Sequence, residues 1–211
     1  DNALVRAAGV VQRLADYRPP PQFHELWRQQ VNILDVDDET KSIMLDEAKI
    51  EDWLDAHPVE GLARHFYSCT HTTFSPNVAQ SDRRMKTNVI PDQIDVNVDI
   101  RTLPGESGAE VQAHLDTALG DLADQVDVEI IMNDPASISR IDNPMWDTIQ
   151  KAVNQPFPSA RLVPQLIVGF TDARVYRNLG SIAYGAGLFS PDLKSSDFMS
   201  RFHGHNERID V

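Results

Sequence analysis

The residues able to do chemistry are concentrated in the last third of the chain, residues 165–211. There QLIVGFTDARVYRNLGSIAYGAG is followed by a polar loop and then by HGHNERIDV. His203 and His205 stand in a loop rich in Gly, Ser and Asp, where an imidazole is free to face a metal, and Glu207 closes a H-x-x-x-E spacing. Arg174 sits in the first turn of a short helix expected after Thr171. A cation at that end opposes the helix dipole, so helix stability does not account for it. A guanidinium grips carboxylates bidentately, and a carboxylate clamp is the functional reading; a plain surface arginine is the alternative that composition leaves open.

These residues need a scaffold. Leu166, Ile167 and Val168 form an apolar run ending at Gly169; Thr171 offers a hydroxyl N-cap, and Gly180 supplies a left-handed stop. A second apolar run covers Ile182 to Tyr184. Strand, capped helix and strand make an α/β unit, whose ligands gather at the loops beyond the strand ends.

GFTDAR, YGAG and HGHNE together closely resemble the C-terminal part of the M20 family of zinc-dependent metallopeptidases, which includes aminoacylases, deacetylase- and desuccinylase-like enzymes and carboxypeptidases. The resemblance implies a fold of a phosphorylase/hydrolase-like zinc peptidase. It implies that His203, four residues before Glu207, ligates one zinc of a two-metal centre, where cobalt or manganese could substitute. It also implies that Arg174 binds the substrate carboxylate, with Gly169 and Thr171 beside it on the substrate.

The middle of the chain carries the second half of that resemblance. Ile94, Val96, Val98 and Ile100 alternate with Asp95, Asn97, Asp99 and Arg101, a strand with one buried and one wet face. Leu103-Pro104-Gly105 turns the chain toward Ser107, which forms a capping box with Glu110 and starts a helix burying Val111, Leu115, Leu119 and Leu122. Val126, Val128, Ile130 and Met132 alternate as a further strand, and Phe66, Tyr67, Thr70, Thr72, Thr73 and Phe74 are strand formers ahead of it. With a helix carrying Leu4, Ala7, Ala8, Val11, Leu14 and Ala15 at the front, the pattern is a ferredoxin-like β-α-β-β-α-β unit lacking its first strand. NVIP followed by DIRTLPG resembles the inserted lid, or dimerisation, domain of the M20 enzymes. The resemblance implies a homodimer through the lid, with the Asn88 amide reaching toward the partner's active site to hold substrate or oxyanion. A turn residue before Pro91 is the bland alternative for Asn88, and a solvent-face pair is the reading of Asp99 and Arg101.

The expected fold class is therefore α/β with an α+β lid. Residues 1–136 form the lid, residues 18–62 are an insertion of unclear structure inside it, and residues 137–211 are the C-terminal part of a catalytic domain. Asn143-Pro144 starts the first catalytic helix, which carries Met145, Trp146, Ile149 and Val153. Within the insertion, Ile43 to Leu54 reads as one short helix anchored by Trp53, while Asp35, Asp37, Asp38 and Glu39 read as a solvated patch. His24 and His57 read as surface residues.

Composition bounds the rest. A formal net charge of -13 over 211 residues argues against nucleic acid as a partner, because phosphate contact needs basic surface. Hydrophobic residues at 41% and aromatics at 7% describe a globular chain, and no run approaches the roughly 20 apolar residues of a membrane span. A single cysteine, Cys69, read as a small apolar strand residue, excludes an internal disulfide and fits a reducing, cytoplasmic setting.

A cocatalytic two-metal hydrolase also needs a bridging carboxylate, further ligands and a general base. In the relatives these come as H-x-D, a lone aspartate and adjacent glutamates. His114-Leu115-Asp116 spells H-x-D within an amphipathic helix and reads as coincidence, the chain holds no Glu-Glu pair, and neither His65 nor His71 stands where the relatives place their lid histidine. The chain, opening inside a formed helix, is expected to be a fragment, inactive alone, of an enzyme cleaving N-acyl amino acids or small peptides with a free carboxylate. A non-catalytic dimerisation or ligand-binding module is the alternative.

Overall fold

The computed structural model describes residues 2–81, 86–186, 193 and 207–208. In chain order the elements are α1 (Ala3–Asp16), α2 (Glu25–Ile33), α3 (Asp38–Met44), α4 (Ile50–Asp55), α5 (Glu60–Thr70), β1 (Thr73–Gln80), β2 (Asp95–Arg101), α6 (Gly108–Leu119), a 3-10 turn over Gly120–Gln125, α7 (Pro144–Asn154) and α8 (Ala173–Asn178). They fall into two compact units. The first comprises Asp1–His24 and Ser68–Ala136, the second Glu25–Tyr67 and Ser137–Val211.

In the first unit β1 and β2 pair antiparallel from Thr73↔Arg101 to Gln80↔Asp95. The register slips between Pro76 and Val78. A proline has no N–H to give the ladder, so a bulge beside it loses little. Val10 and Leu14 of α1 meet Leu115 and Leu119 of α6, and Phe74, Val98 and Ile100 of the sheet pack against them. Each fully buried aliphatic side chain there contributes about 1.5–3 kcal/mol. The buried face of α1 is Ala7, Val10 and Leu14 rather than the wider set expected, and Leu4 is left exposed. Asn2 caps α1 through its side chain, and Ser107 with Glu110 makes the expected capping box on α6. Arg13 reaches the last carbonyl of α6, at Leu119, and pairs with Asp121 at 2.5 Å, a cation placed where the helix dipole favours it. Asp99 and Arg101 pair with each other at 2.6 Å, as a surface couple should.

Two strand expectations are corrected. Val126 to Met132 pairs with nothing; Ile130, Ile131 and Met132 are 72%, 78% and 71% exposed, because no third strand lies beside β1 or β2 among the described residues. Phe66, Tyr67, Cys69 and Thr70 lie on helix α5 and not in a strand. Phe66 is held there by aromatic packing, and β propensity yields to such tertiary contacts.

The His114 side chain is not idle surface. Its Nδ1 accepts from the Tyr17 hydroxyl at 2.7 Å, and its Nε2 lies 3.1 Å from Oε1 of Glu106, whose side chain is 0% exposed. That oxygen has no aligned hydrogen bond, so the contact is electrostatic more than directional. The other carboxylate oxygen accepts from the Thr72 hydroxyl and from the Leu103 amide at 3.3 Å. Burial, and then the Glu106 charge, raise the Tyr17 phenol above its ordinary value, so it stays a donor to the ring.

In the second unit the stretch of unclear structure is helical. Trp27 of α2 is fully buried and donates through Nε1 to the Met44 carbonyl at 3.0 Å. Its ring meets Phe66 edge-on, with centroids 5.4 Å apart, and Phe66 stacks on Trp53. The single helix expected from Ile43 to Leu54 is instead α3 and α4, broken at Leu45–Lys49 by an Asp46 turn whose carboxylate accepts from the Ala48 amide. Asp37 in the acidic patch caps α3 by accepting from the Thr40 amide and hydroxyl. His24 and His57 are half-buried, and the His57 ring lies against Trp53. Asn143 caps α7, accepting from Met145 and Trp146, and Trp146 packs edge-on against Tyr184.

Candidate functional site

The site expected from sequence centres on α8, within the second unit. Its N-cap is Asp172, without a side-chain cap bond, and not Thr171; the Thr171 contribution is its carbonyl, which accepts from the Arg174 amide at 3.3 Å. A main-chain turn thus does the work assigned to the hydroxyl. The other end follows the expected pattern. Gly180 has φ +85°, its amide donates to the Arg177 carbonyl, and the Ser181 amide donates to the Tyr176 carbonyl, both at 2.9 Å. These two bonds form a Schellman motif, which needs a residue without a Cβ at its left-handed position.

The flanking runs, Leu166 to Val168 and Ile182 to Tyr184, are not strands, since neither is hydrogen-bonded into a sheet. Close packing joins them all the same. A Cβ on Gly185 would lie 3.2 Å from the tip of the Ile167 side chain, a tight approach that a larger residue would accommodate only by shifting Ile167 a few tenths of an ångström. Gly169 needs no such explanation, since a Cβ there would meet Ile167 only at an ordinary 4.0 Å and its φ is not positive.

The Arg174 guanidinium lies 4.7 Å over the Phe170 ring. An aromatic face attracts the cation through its ring quadrupole. Sequence reasoning missed Phe170, whose signal was an aromatic four residues before the arginine.

Arg177, one turn further on, was missed altogether. Its Nε donates to the Ser139 hydroxyl at 3.2 Å and the Ala183 carbonyl at 3.0 Å, Nη1 to the Ser137 carbonyl at 3.3 Å, and Nη2 to Ala183 again at 2.7 Å. It thereby ties α8 to the segments on either side. Beside it opens a cavity of about 240 Å³ lined by Ile138, Ser139, Arg140, Asp142, Ser181 and Ile182, among others.

The remaining expected residues are distributed. Asn88 lies exposed in a turn of the first unit, where the Val89 amide closes back on the Lys86 carbonyl at 3.1 Å. Gly169, Thr171 and Arg174 are brought together along one short segment. His203 and His205 lie outside the described residues, and Glu207 is exposed. Among the described residues no group of three or more His, Cys, Asp or Glu side chains could hold a metal.

Residues 1–127 match the Peptidase dimerisation domain of the M20 peptidases, which is more than half of the chain. The chain belongs to the M20 peptidase dimerisation-domain family. It is 28% identical over 128 residues to a probable carboxypeptidase S-like 2 of Dictyostelium discoideum, covering 60% of this chain and 24% of that protein. It is 29% identical over 127 residues to the N-fatty-acyl-amino acid synthase/hydrolase PM20D1 of Xenopus tropicalis, covering 59% and 24%. The Homo sapiens protein of that name is 29% identical over 130 residues, covering 60% and 25%. The chain thus spans about a quarter of the length of these curated relatives. No solved structure matches it significantly. No helix among the described residues is long and apolar enough to cross a membrane.

Proposed function

We propose that the chain is part of a zinc-dependent M20-type hydrolase that cleaves the amide bond of N-acyl amino acids or small peptides bearing a free carboxylate. The relatives' names supply the reaction class: one is a probable carboxypeptidase, others a synthase/hydrolase of N-fatty-acyl amino acids. The observation that carries the reading here is Arg174. It closes the GFTDAR segment on the first turn of α8, with its guanidinium over the Phe170 ring, and a guanidinium is the side chain best shaped to grip a carboxylate.

In this reading Arg174 grips the substrate carboxylate while Gly169 and Thr171 border it. Asn88 donates its amide to the substrate or oxyanion of a partner subunit, in a homodimer formed through the first unit, the lid. His203 supplies one zinc ligand, and zinc, when bound, would polarise the scissile carbonyl or activate water. The further ligands that such a centre needs are not grouped among the described residues. On this reading the 211 residues alone do not turn over substrate.

The test is calorimetric titration of the 211-residue chain with N-acetyl-leucine and with its methyl ester. The acid should bind saturably, the ester about ten- to a hundredfold more weakly, as should the acid to Arg174→Gln; a charge-assisted bidentate contact is worth about 1.5–3 kcal/mol. Equal binding of acid and ester would refute the clamp.

A further inference from the structure

We infer that the cavity beside Arg177 is a binding site for a small aliphatic monocarboxylate, distinct from the Arg174 clamp and independent of the hydrolase reading. Arg177 is half-buried, and among the described residues every hydrogen bond it makes goes to a neutral oxygen, in Ser137, Ser139 or Ala183. Among the described residues no carboxylate pairs with it. Guanidinium has five N–H donors; Nε commits its one, Nη1 donates to the Ser137 carbonyl and hydroxyl, and Nη2 donates to Ala183. At least one Nη2 donor has no acceptor among the described residues.

The hydroxyls on the wall point the same way. Ser139 Oγ already accepts twice, from Arg177 Nε and from the Ala183 amide at 3.1 Å, which leaves its own O–H to donate. The Ser181 hydroxyl makes no hydrogen bond among the described residues, and both serines line the cavity. A guanidinium N–H and two hydroxyl donors around one opening is a donor set suited to an oxyanion. The formal charge of the lining selects its valence. Arg140 is held bidentately by Asp142, so Arg177 leaves a net charge of one positive, from two arginines and one aspartate. A monoanion is matched and a dianion would face Asp142.

Size and apolar surface select the rest. A cavity of about 240 Å³ has room for about eight waters at their share of liquid volume, more than a bare acetate fills. Ile138 and Ile182 line it and are 44% and 43% exposed, offering a short aliphatic tail some apolar cover.

The experiment titrates isovalerate into the 211-residue chain at constant ionic strength, following backbone amides by NMR, with isovaleramide and inorganic phosphate as comparators. Saturable shifts are expected at Gly180, Ser181 and Ile182, with isovaleramide at least about tenfold weaker, since it forfeits the charge-assisted contact. Arg177 also staples the fold, so the variants that decide are Ser181→Ala and Asp142→Asn. Ser181→Ala should weaken isovalerate about three- to tenfold, and Asp142→Asn should tighten it on the order of threefold by removing a nearby negative charge. Binding of the amide as tight as the acid, tighter binding of phosphate, weakening by Asp142→Asn, or shifts centred on Phe170 and Arg174 instead would each overturn the assignment. Arg174→Gln, which abolishes the clamp, should leave these shifts in place, so the two proposals fail separately.

Discussion

Replacing Glu106 by alanine should unsettle the first unit more than any surface charge change. The carboxylate is fully buried and serves three neighbours: the Thr72 hydroxyl, the Leu103 amide and the His114 ring. Thr72 is itself buried, so solvent does not easily replace the lost acceptor. A buried donor left without its charged partner costs about 1–3 kcal/mol, and two such donors together with the stranded imidazole give about 3–5 kcal/mol for Glu106→Ala. Against a typical domain stability of about 5–15 kcal/mol, that is a large fraction. Glu106→Gln keeps the shape and one acceptor oxygen and should cost about 1–2 kcal/mol. Urea denaturation, with hydrogen exchange read at the β1–β2 amides, measures both. A double-mutant cycle with His114→Ala should return a coupling of about 1 kcal/mol, since Nε2 of the ring stands 3.1 Å from the carboxylate. A second readout is independent of stability: Glu106 helps raise the Tyr17 phenol, so Tyr17 should ionise at lower pH in Glu106→Gln. Additive losses within about 0.5 kcal/mol and an unmoved Tyr17 titration would refute the network.

Three further outcomes follow from single residues. Burial pushes the Cys69 thiol from 9.0 up to about 12, so its thiolate fraction at pH 8 falls about a thousandfold; iodoacetamide should leave the folded chain unmodified and label it after unfolding. Burial lowers the His65 pKa below its ordinary 6.5, and the Gln165 amide donates to its Nε2 at 2.7 Å, which requires that nitrogen unprotonated. The unfolded chain therefore takes up the proton first, and stability should be complete above pH 6.5 and decline as pH falls below it, down to the folded value. Tryptophan-monitored denaturation at pH 7.5 and 5.5 should show this decline in the native chain and a smaller one in His65→Gln; equal slopes would count against it. Gly180→Ala should cost about 1–2 kcal/mol from φ +85° alone, because nothing lies within 4 Å of the added Cβ, and Gly180→Asn should cost less; a neutral Gly180→Ala thermal melt contradicts the Schellman assignment.

What could be read from the sequence shares one property: the partners are close along the chain. Ser107 with Glu110, Asn143 and Gly180 act on backbone groups two to three residues away, so residue type and spacing alone specify the bonds. A strand is different, because it exists only when another strand lies beside it. Val126 to Met132 has the same alternation as Val96 to Ile100, yet only the latter has β1 along its edge. The helices between residues 25 and 67 were hidden for a related reason. The buried face of α2 is only Trp27, Gln30 and Val31, and what fixes it is Met44 and Phe66, seventeen and thirty-nine positions on from Trp27. The candidate site divides along the same line. Arg174 could be singled out because Gly169, Thr171 and Asp172 stand just before it in sequence. Arg177 was not, because Ser137 and Ser139 lie forty and thirty-eight residues before it, and nothing local distinguishes it from a cation placed on the last turn of a helix. The residue whose role was hardest to read is thus the one whose charge the described fold answers only with neutral oxygens, and that mismatch is a better guide to ligand chemistry than the motif one turn earlier.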